Sequence, residues 1–225
     1  MSFNKNKADP ILGQQVHAHL LLNDVETPRR DNGLDRKLKI AKIEEKVRDI
    51  MTIMGLDLND DSLAETPTRW AKMVINETMW GLDYDAFPKC TTVKNKMGYD
   101  EMIVESGITV QSTCEHHFLP IVGKAVVAYI PNTKVLGLSK LNRVVEFFSK
   151  RPQIQERLTE QIYFALQYIL ETENVAVMIQ AEHLCVSSRG VEDTSSFTTT
   201  SKLGGGFKSD PSARAEFLAL ARSFK

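Results

Sequence analysis

The chain has 225 residues, 42% of them apolar and 25% charged, with a formal net charge of −1. That composition is globular and long enough to bury a sizeable core, and a pI near 6.5 excludes the basic surface of a nucleic-acid binder. No apolar run approaches the ~18 residues of a membrane span, and Met1 to Lys7 has no apolar core after its charges, so neither a membrane helix nor a secretory signal is expected.

Three cysteines do not suit a disulfide framework. They suit a reducing cytoplasm, with thiolates left free for a metal. One domain with a helical appendage and two small domains both fit the length.

Residues 1–33 read as a polar, partly ordered arm with a short helix around 14–22. His17 and His19 in it read as surface histidines. A helical segment, 34–98, follows. Ile40, Ile43, Val47, Ile50, Met51 and Met54 keep the spacing of one helical face, so a helix is expected over 34–54. Gly55 stands where a left-handed cap belongs. Thr66-Pro67 opens the next helix, with threonine as cap and proline in the first position. Trp70, Met73 and Val74 give its apolar face, Gly81 ends it, and Arg69 and Lys72 lie on it. Residues 83–96 read as irregular, with Cys90 a stray thiol.

Over 99–225 the period changes first to that of strands. A strand is expected over 102–110, with a turn or bulge at Ser106-Gly107. Residues 122–130 are apolar on both faces, as in a strand covered on both sides. Helices are expected over 138–148, with Ser139 as cap, and over 152–170, with Ile154, Leu158, Ile162, Leu166 and Ile169 on one stripe. Strands follow over 174–186 and 194–201. Asp210-Pro211 opens a last helix carrying Phe217, Leu218 and Ala221.

The chemistry gathers in two stretches, Cys114-Glu-His-His117 and His183-Leu-Cys185. Two thiolates and an imidazole can hold zinc and leave its fourth position open, the mark of a catalytic ion. Strand alternation would put His183 and Cys185 on one face. His116 and His183 would then stand beside the metal as proton carriers, while zinc lowers the pKa of a coordinated water to ~7. A structural zinc that uses one of the spare histidines, or no metal at all, fits the spacing too.

Lys140 and Arg143 fall in the first turn of their helix, against its dipole, which hints at a bound anion. Solvated basic side chains explain the same letters. Arg189 is a further cation near the second metal stretch. Gln155-Glu156 can read a base edge, because a carboxylate accepts from adjacent N–H groups. Ordinary surface polarity is the alternative.

Taken together, Cys114-Glu-His-His117, Gly137-Leu-Ser-Lys-Leu-Asn-Arg143, Arg151-Pro-Gln-Ile-Gln-Glu-Arg-Leu158, His183-Leu-Cys185 and Arg189-Gly190 resemble GTP cyclohydrolase I of the zinc-dependent type. The resemblance covers residue 34 to the C-terminus. It implies an α+β tunnelling fold (T-fold): an antiparallel sheet with long helices on one face, preceded by a helical segment. It also implies a homodecamer of two face-to-face pentamers, with active sites at subunit interfaces. The reaction would convert GTP and water to 7,8-dihydroneopterin triphosphate and formate, the first step of folate and, where present, tetrahydrobiopterin synthesis.

By position, Cys114, His117 and Cys185 resemble the zinc ligands. The resemblance gives His183 protonation of the imidazole nitrogen after attack at guanine C8. It gives His116 the protons of ribose opening, and Ser139 the sugar contact. Glu156, with Gln155 beside it, would anchor the guanine edge. Lys140, Arg143 and Arg189 would grip the triphosphate, with Arg69 reaching it from the earlier helix. Two departures stand out: Glu182, where a neutral residue is expected and where it could raise the pKa of His183, and Ser187-Ser188 in place of bulkier residues. A non-catalytic pterin- or nucleotide-binding protein with structural zinc is the rival reading, though it would not need both His116 and His183. An enzyme acting on a pteridine or deazapurine is a third, though it would not need the whole cation set.

Overall fold

The computed structural model describes residues 7–222. The expectation that no signal core opens the chain falls largely on residues 1–6 and lies outside them. The first helix, α1 (Pro10–Leu22), starts where the Asp9 carboxylate accepts from the Leu12 N–H at 3.1 Å. It is docked rather than loose: Val16 and Leu20 are fully buried. His17 stacks on Tyr84, and His19 leans on Phe164 and Tyr168, so neither is a free surface histidine.

Helix α2 (Arg36–Ile53) is capped by Asp35, and Gly55 takes the left-handed conformation the sequence anticipates, φ 78°. Of its residues only Met51 is buried. Ile50, Ile53 and Met54 stay open, so the expected stripe is covered only in part.

Helix α3 (Thr66–Met73) has Glu65 at its cap and no side-chain capping bond; Thr66 is already helical. It widens into a π turn, Val74–Thr78, and a tight turn, Trp80–Leu82. Gly81 is required by close approach: a Cβ there would lie 2.0 Å from the Phe147 carbonyl oxygen. The stretch expected to be irregular contains a further turn, Tyr84–Ala86, and the short strand β1 (Thr92–Lys94).

The sheet begins with β2 (Ile103–Cys114), broken by a bulge between Glu105 and Ile108 where Gly107 has φ 72°. β3 (Pro120–Tyr129) returns antiparallel, with Ser112 opposite Ile121. β4 (Lys134–Leu136) pairs with β1 outside the main sheet. Helix α4 (Leu138–Ser149) leads to the two-residue strand β5 (Pro152–Gln153) and then to α5 (Gln155–Leu170). β6 (Val175–His183) lies antiparallel to β3, with His183 opposite Ile121. A single helical turn, α6 (Leu184–Ser187), follows, then β7 (Thr198–Leu203) antiparallel to β6. The order is β5-β2-β3-β6-β7, and only the β5–β2 pair is parallel.

Helices α4 and α5 bury Leu141, Val144, Val145, Leu158, Ile162 and Leu166 against Ile108, Val110, Ile121, Ala125 and Val127. Each buried Val, Leu or Ile among them contributes roughly 1.5–3 kcal/mol. The other face is covered in part by α7 (Gly205–Ser209) and α8 (Pro211–Arg222), through Phe207 and Phe217 on Val126, Ala128 and Ala176. This second layer is why β3 is apolar on both sides.

Three further sequence expectations change. Gly137, not Ser139, caps α4, and no side chain caps its first N–H groups. The stretch expected to open the long helix at 152 starts as strand, because Pro152 and Gln153 pair with Thr113 and Cys114. The strand expected over 174–186 stops at His183, where β3 runs out of partners, and the Ser188 N–H closes a turn on the Leu184 carbonyl.

Candidate active site

The β2–β3 connection makes a tight loop at one end of the sheet. The Cys114 N–H donates to Leu119 O at 2.8 Å, and the Phe118 N–H donates to Cys114 O at 2.9 Å. Phe118 adopts φ 53°, a left-handed backbone that lets the loop close. The loop folds His117 back over the strand end, so its Nδ1 stands 3.9 Å from Cys114 Sγ. Cys185 arrives from the neighbouring strand by way of α6. The alternation argument for its direction therefore fails, yet the turn delivers it to the same place. Ligand atoms of Cys114, His117 and Cys185 lie within 4.8 Å of one another.

This donor set fits a divalent metal. Burial, and then the adjoining Cys114 sulfur, push the Cys185 thiol up. Two adjacent thiolates are costly on their own, and a soft dication offsets that cost. Among the described residues the cluster holds two sulfurs and one imidazole, a donor set that would leave a bound tetrahedral metal one open position. His116 and His183 stand outside the ligand set.

His183 is held by one bond. Its Nε2 lies 2.8 Å from Gln155 Oε1. The Gln155 amide nitrogen donates to Ile179 O, Thr198 O and Thr200 Oγ1 at 3.0–3.1 Å. That fixes the amide orientation, so its oxygen faces the ring and Nε2 carries the proton. Burial lowers the His183 pKa, and the nearby Glu156 carboxylate opposes the shift. Glu182 does not perturb it; that carboxylate accepts from Ser187 Oγ at 2.8 Å. Gln155 is buried and its amide is committed within the chain, so it orients His183 where the sequence suggested a base contact. Glu156, one residue on, is exposed and free to face a ligand.

Arg189 also reaches the cluster, with Nη1 2.9 Å from His117 Nε2. Arg69 is exposed on α3; its neighbour Trp70 and the loop residue Phe118 line a cavity of about 430 Å³ beside Ser112 and Thr113. Ser139, Lys140 and Arg143 are elsewhere. They occupy the start of α4, where Asn142 Nδ2 donates to Glu105 near the far end of β2 and Gly137 N–H donates to Thr91 O. Burial pushes the half-buried Cys90 thiol up to about 12, a shift that the nearby Lys140 and Arg143 oppose. Helix α4 has 12 residues and its other end leads to β5 beside Cys114, which puts Lys140 on the order of 20 Å from the metal cluster.

Sequence reasoning left two contacts unread. Arg151 is fully buried, with Nη1 3.2 Å from Glu26 Oε1. Glu115, inside the metal loop, is paired with Arg157. Both arginines lie in the 151–158 motif, but nothing in the letters names partners so remote in sequence.

A family model described as GTP cyclohydrolase I matches residues 43–222. A GTP cyclohydrolase 1 of Pectobacterium carotovorum is 57% identical over 207 residues, covering 92% of this chain and 94% of the relative. Aeromonas hydrophila has one 58% identical over 204 residues, covering 91% and 94%. One from Shewanella amazonensis is 56% identical over 209 residues, covering 93% and 97%. On the extent of these matches, and with a two-cysteine, one-histidine cluster in place, the chain belongs to the GTP cyclohydrolase I family.

Proposed function

We propose that this chain hydrolyses GTP at guanine C8, releases formate and forms 7,8-dihydroneopterin triphosphate, in a site that two or more copies build together. The observation that carries this reading is the division of the site within one chain. Cys114, His116, His117, His183, Glu156 and Arg189 gather at one end of the sheet, while Ser139, Lys140 and Arg143 gather at the other. The sugar of GTP is bonded directly to the base, so a base held at Glu156 cannot present its ribose to Ser139 of the same chain. A neighbouring copy can supply that helix start. A ring of copies, paired face to face as a decamer, supplies it for every site by symmetry. The open apolar end of α2 supports such assembly.

In this reading Glu156 takes the N–H edge of guanine. Lys140 and Arg143 of the adjacent copy and Arg189 hold the triphosphate, with Arg69 as a further cation. Cys114, His117 and Cys185 would hold zinc, which when bound would supply the Lewis acidity for adding water at neutral pH. His183, kept neutral by burial and oriented by Gln155, takes a proton as water adds to C8. It then delivers that proton to the ring nitrogen as the C–N bond opens. His116, exposed at the loop tip, serves the proton transfers of ribose opening and rearrangement, with Ser139 steadying the sugar. Among the described residues no helix is long and apolar enough to cross a membrane. Free cysteines at 90, 114 and 185 support a reducing cytoplasmic setting.

Incubation of the purified protein with GTP should release formate and develop pterin absorbance. Both signals should vanish with a chelator and return with zinc. Formate without pterin would remove the roles of Ser139 and His116. Neither signal from zinc-loaded, assembled protein would favour a binding module.

A further inference from the structure

We propose that Glu115 and Arg157 are a positioning pair for His116, an inference that rests on the proton-transfer role given to that histidine above. Glu115 is the one letter of the Cys-Glu-His-His stretch to which the reaction gives no task. Its backbone N–H donates to Gln153 O at 3.0 Å, tying the loop to β5. Its carboxylate is divided. Oε2 accepts from Arg157 Nη1 at 2.5 Å, and Oε1 stands 3.9 Å from His116 Nε2.

Arg157 is the third residue of α5, where a positive charge opposes the helix dipole. The Glu115 carboxylate compensates it at that place. An exposed ion pair would contribute little. These side chains, however, are only 17% and 24% exposed, and each is fixed through its own backbone, one in a helix and one in the loop tied to β5.

His116 has no such walls. Its side chain is 65% exposed, and its other near neighbours are Cys114 Sγ at 4.0 Å from Nδ1 and the His117 ring at 6.3 Å. An imidazole that must meet a substrate proton loses rate when it samples many rotamers. The Glu115 carboxylate faces its outer nitrogen at 3.9 Å, and Arg157 keeps that carboxylate from turning away. The pair therefore limits the directions in which His116 can point, while the metal ligands on either side of the loop are held by other contacts.

The test uses full-length, zinc-loaded, assembled protein and compares Glu115→Gln, Arg157→Met, Arg157→Lys, His116→Ala and the double variant Glu115→Gln/His116→Ala. Glu115→Gln and Arg157→Met should each lower kcat about tenfold or more, with KM for GTP within about threefold of the parent and zinc content unchanged. Arg157→Lys should recover part of the loss, which also guards against a Met variant that merely folds poorly. In the His116→Ala background, Glu115→Gln should cost nothing further, because the carboxylate acts only through that ring. An unchanged kcat in Glu115→Gln, an equal loss in both backgrounds, or loss of zinc would each overturn the pairing. Full turnover by His116→Ala would remove the role of His116 and this inference with it. An inactive His116→Ala beside a normal Glu115→Gln would overturn the inference alone.

Discussion

Arg151→Ala is expected to destabilise the fold by about 3–5 kcal/mol, the cost of leaving a buried charge without its partner. The guanidinium is 0% exposed. It donates to the Gly81 carbonyl and to Glu26, and it lies 4.8–5.1 Å from the ring centroids of Tyr84, Phe147 and Phe148. Glu26 in turn accepts from the Tyr84 hydroxyl, and its side chain is 6% exposed. Removing the arginine takes away that carboxylate's guanidinium counter-charge, leaving it only the Tyr84 hydroxyl, the Thr27 N–H and His17 nearby, and opens a cavity among three rings.

The damage should spread. Gln161 Nε2 donates to Val25 O and Thr27 Oγ1, and Gln153 Nε2 donates to Gln161 Oε1. This buried chain of bonds joins residues 25–27 to β5, which backs the metal loop. A urea midpoint measured at fixed protein concentration checks the prediction, because assembly makes apparent stability concentration-dependent. Glu26→Gln should cost less, since the amide can still accept from Arg151. An Arg151→Ala midpoint equal to that of the parent would contradict the assignment.

The second large effect concerns the metal. Cys114→Ala and Cys185→Ala should lose both zinc and turnover, whereas His183→Ala should keep zinc and lose turnover by about 10²–10⁴-fold. The structure supports the distinction: His183 Nε2 is committed to Gln155, and the three-residue cluster omits this ring. Metal analysis beside GTP turnover decides the matter. A His183→Ala protein without zinc would make that residue a ligand and end its role as a proton carrier.

Local chemistry was legible in the letters. Gly107 marked its bulge, Gly55 its cap, and the continuous apolar run of β3 its two covered faces. The candidate metal cluster was legible because its residue types are rare and the spacing within each stretch is short. The route by which Cys185 reaches the cluster was not, because the end of a strand depends on where its neighbour runs out. The same holds for β5: Pro152 and Gln153 look like a helix start until an edge of β2 is there to pair with them. The docking of residues 7–27 escaped notice because Arg151, Tyr84 and Glu26 are polar letters whose burial depends on one another and on rings remote in sequence. The separation of Lys140 from Cys114 is a property of topology, since α4 runs the length of the sheet between the cation-bearing end and the metal end.

That separation allows a direct test of a site built between copies. Protein carrying Cys114→Ala lacks the metal half, and protein carrying Lys140→Ala with Arg143→Ala lacks the phosphate half. Each alone should be inactive. When equal amounts are dissociated, mixed and reassembled, random partnering pairs an intact metal end with an intact cation end in about a quarter of sites, and GTP turnover should return to about that fraction of the parent. Mixed assemblies that form but stay as inactive as either variant alone would contradict the account.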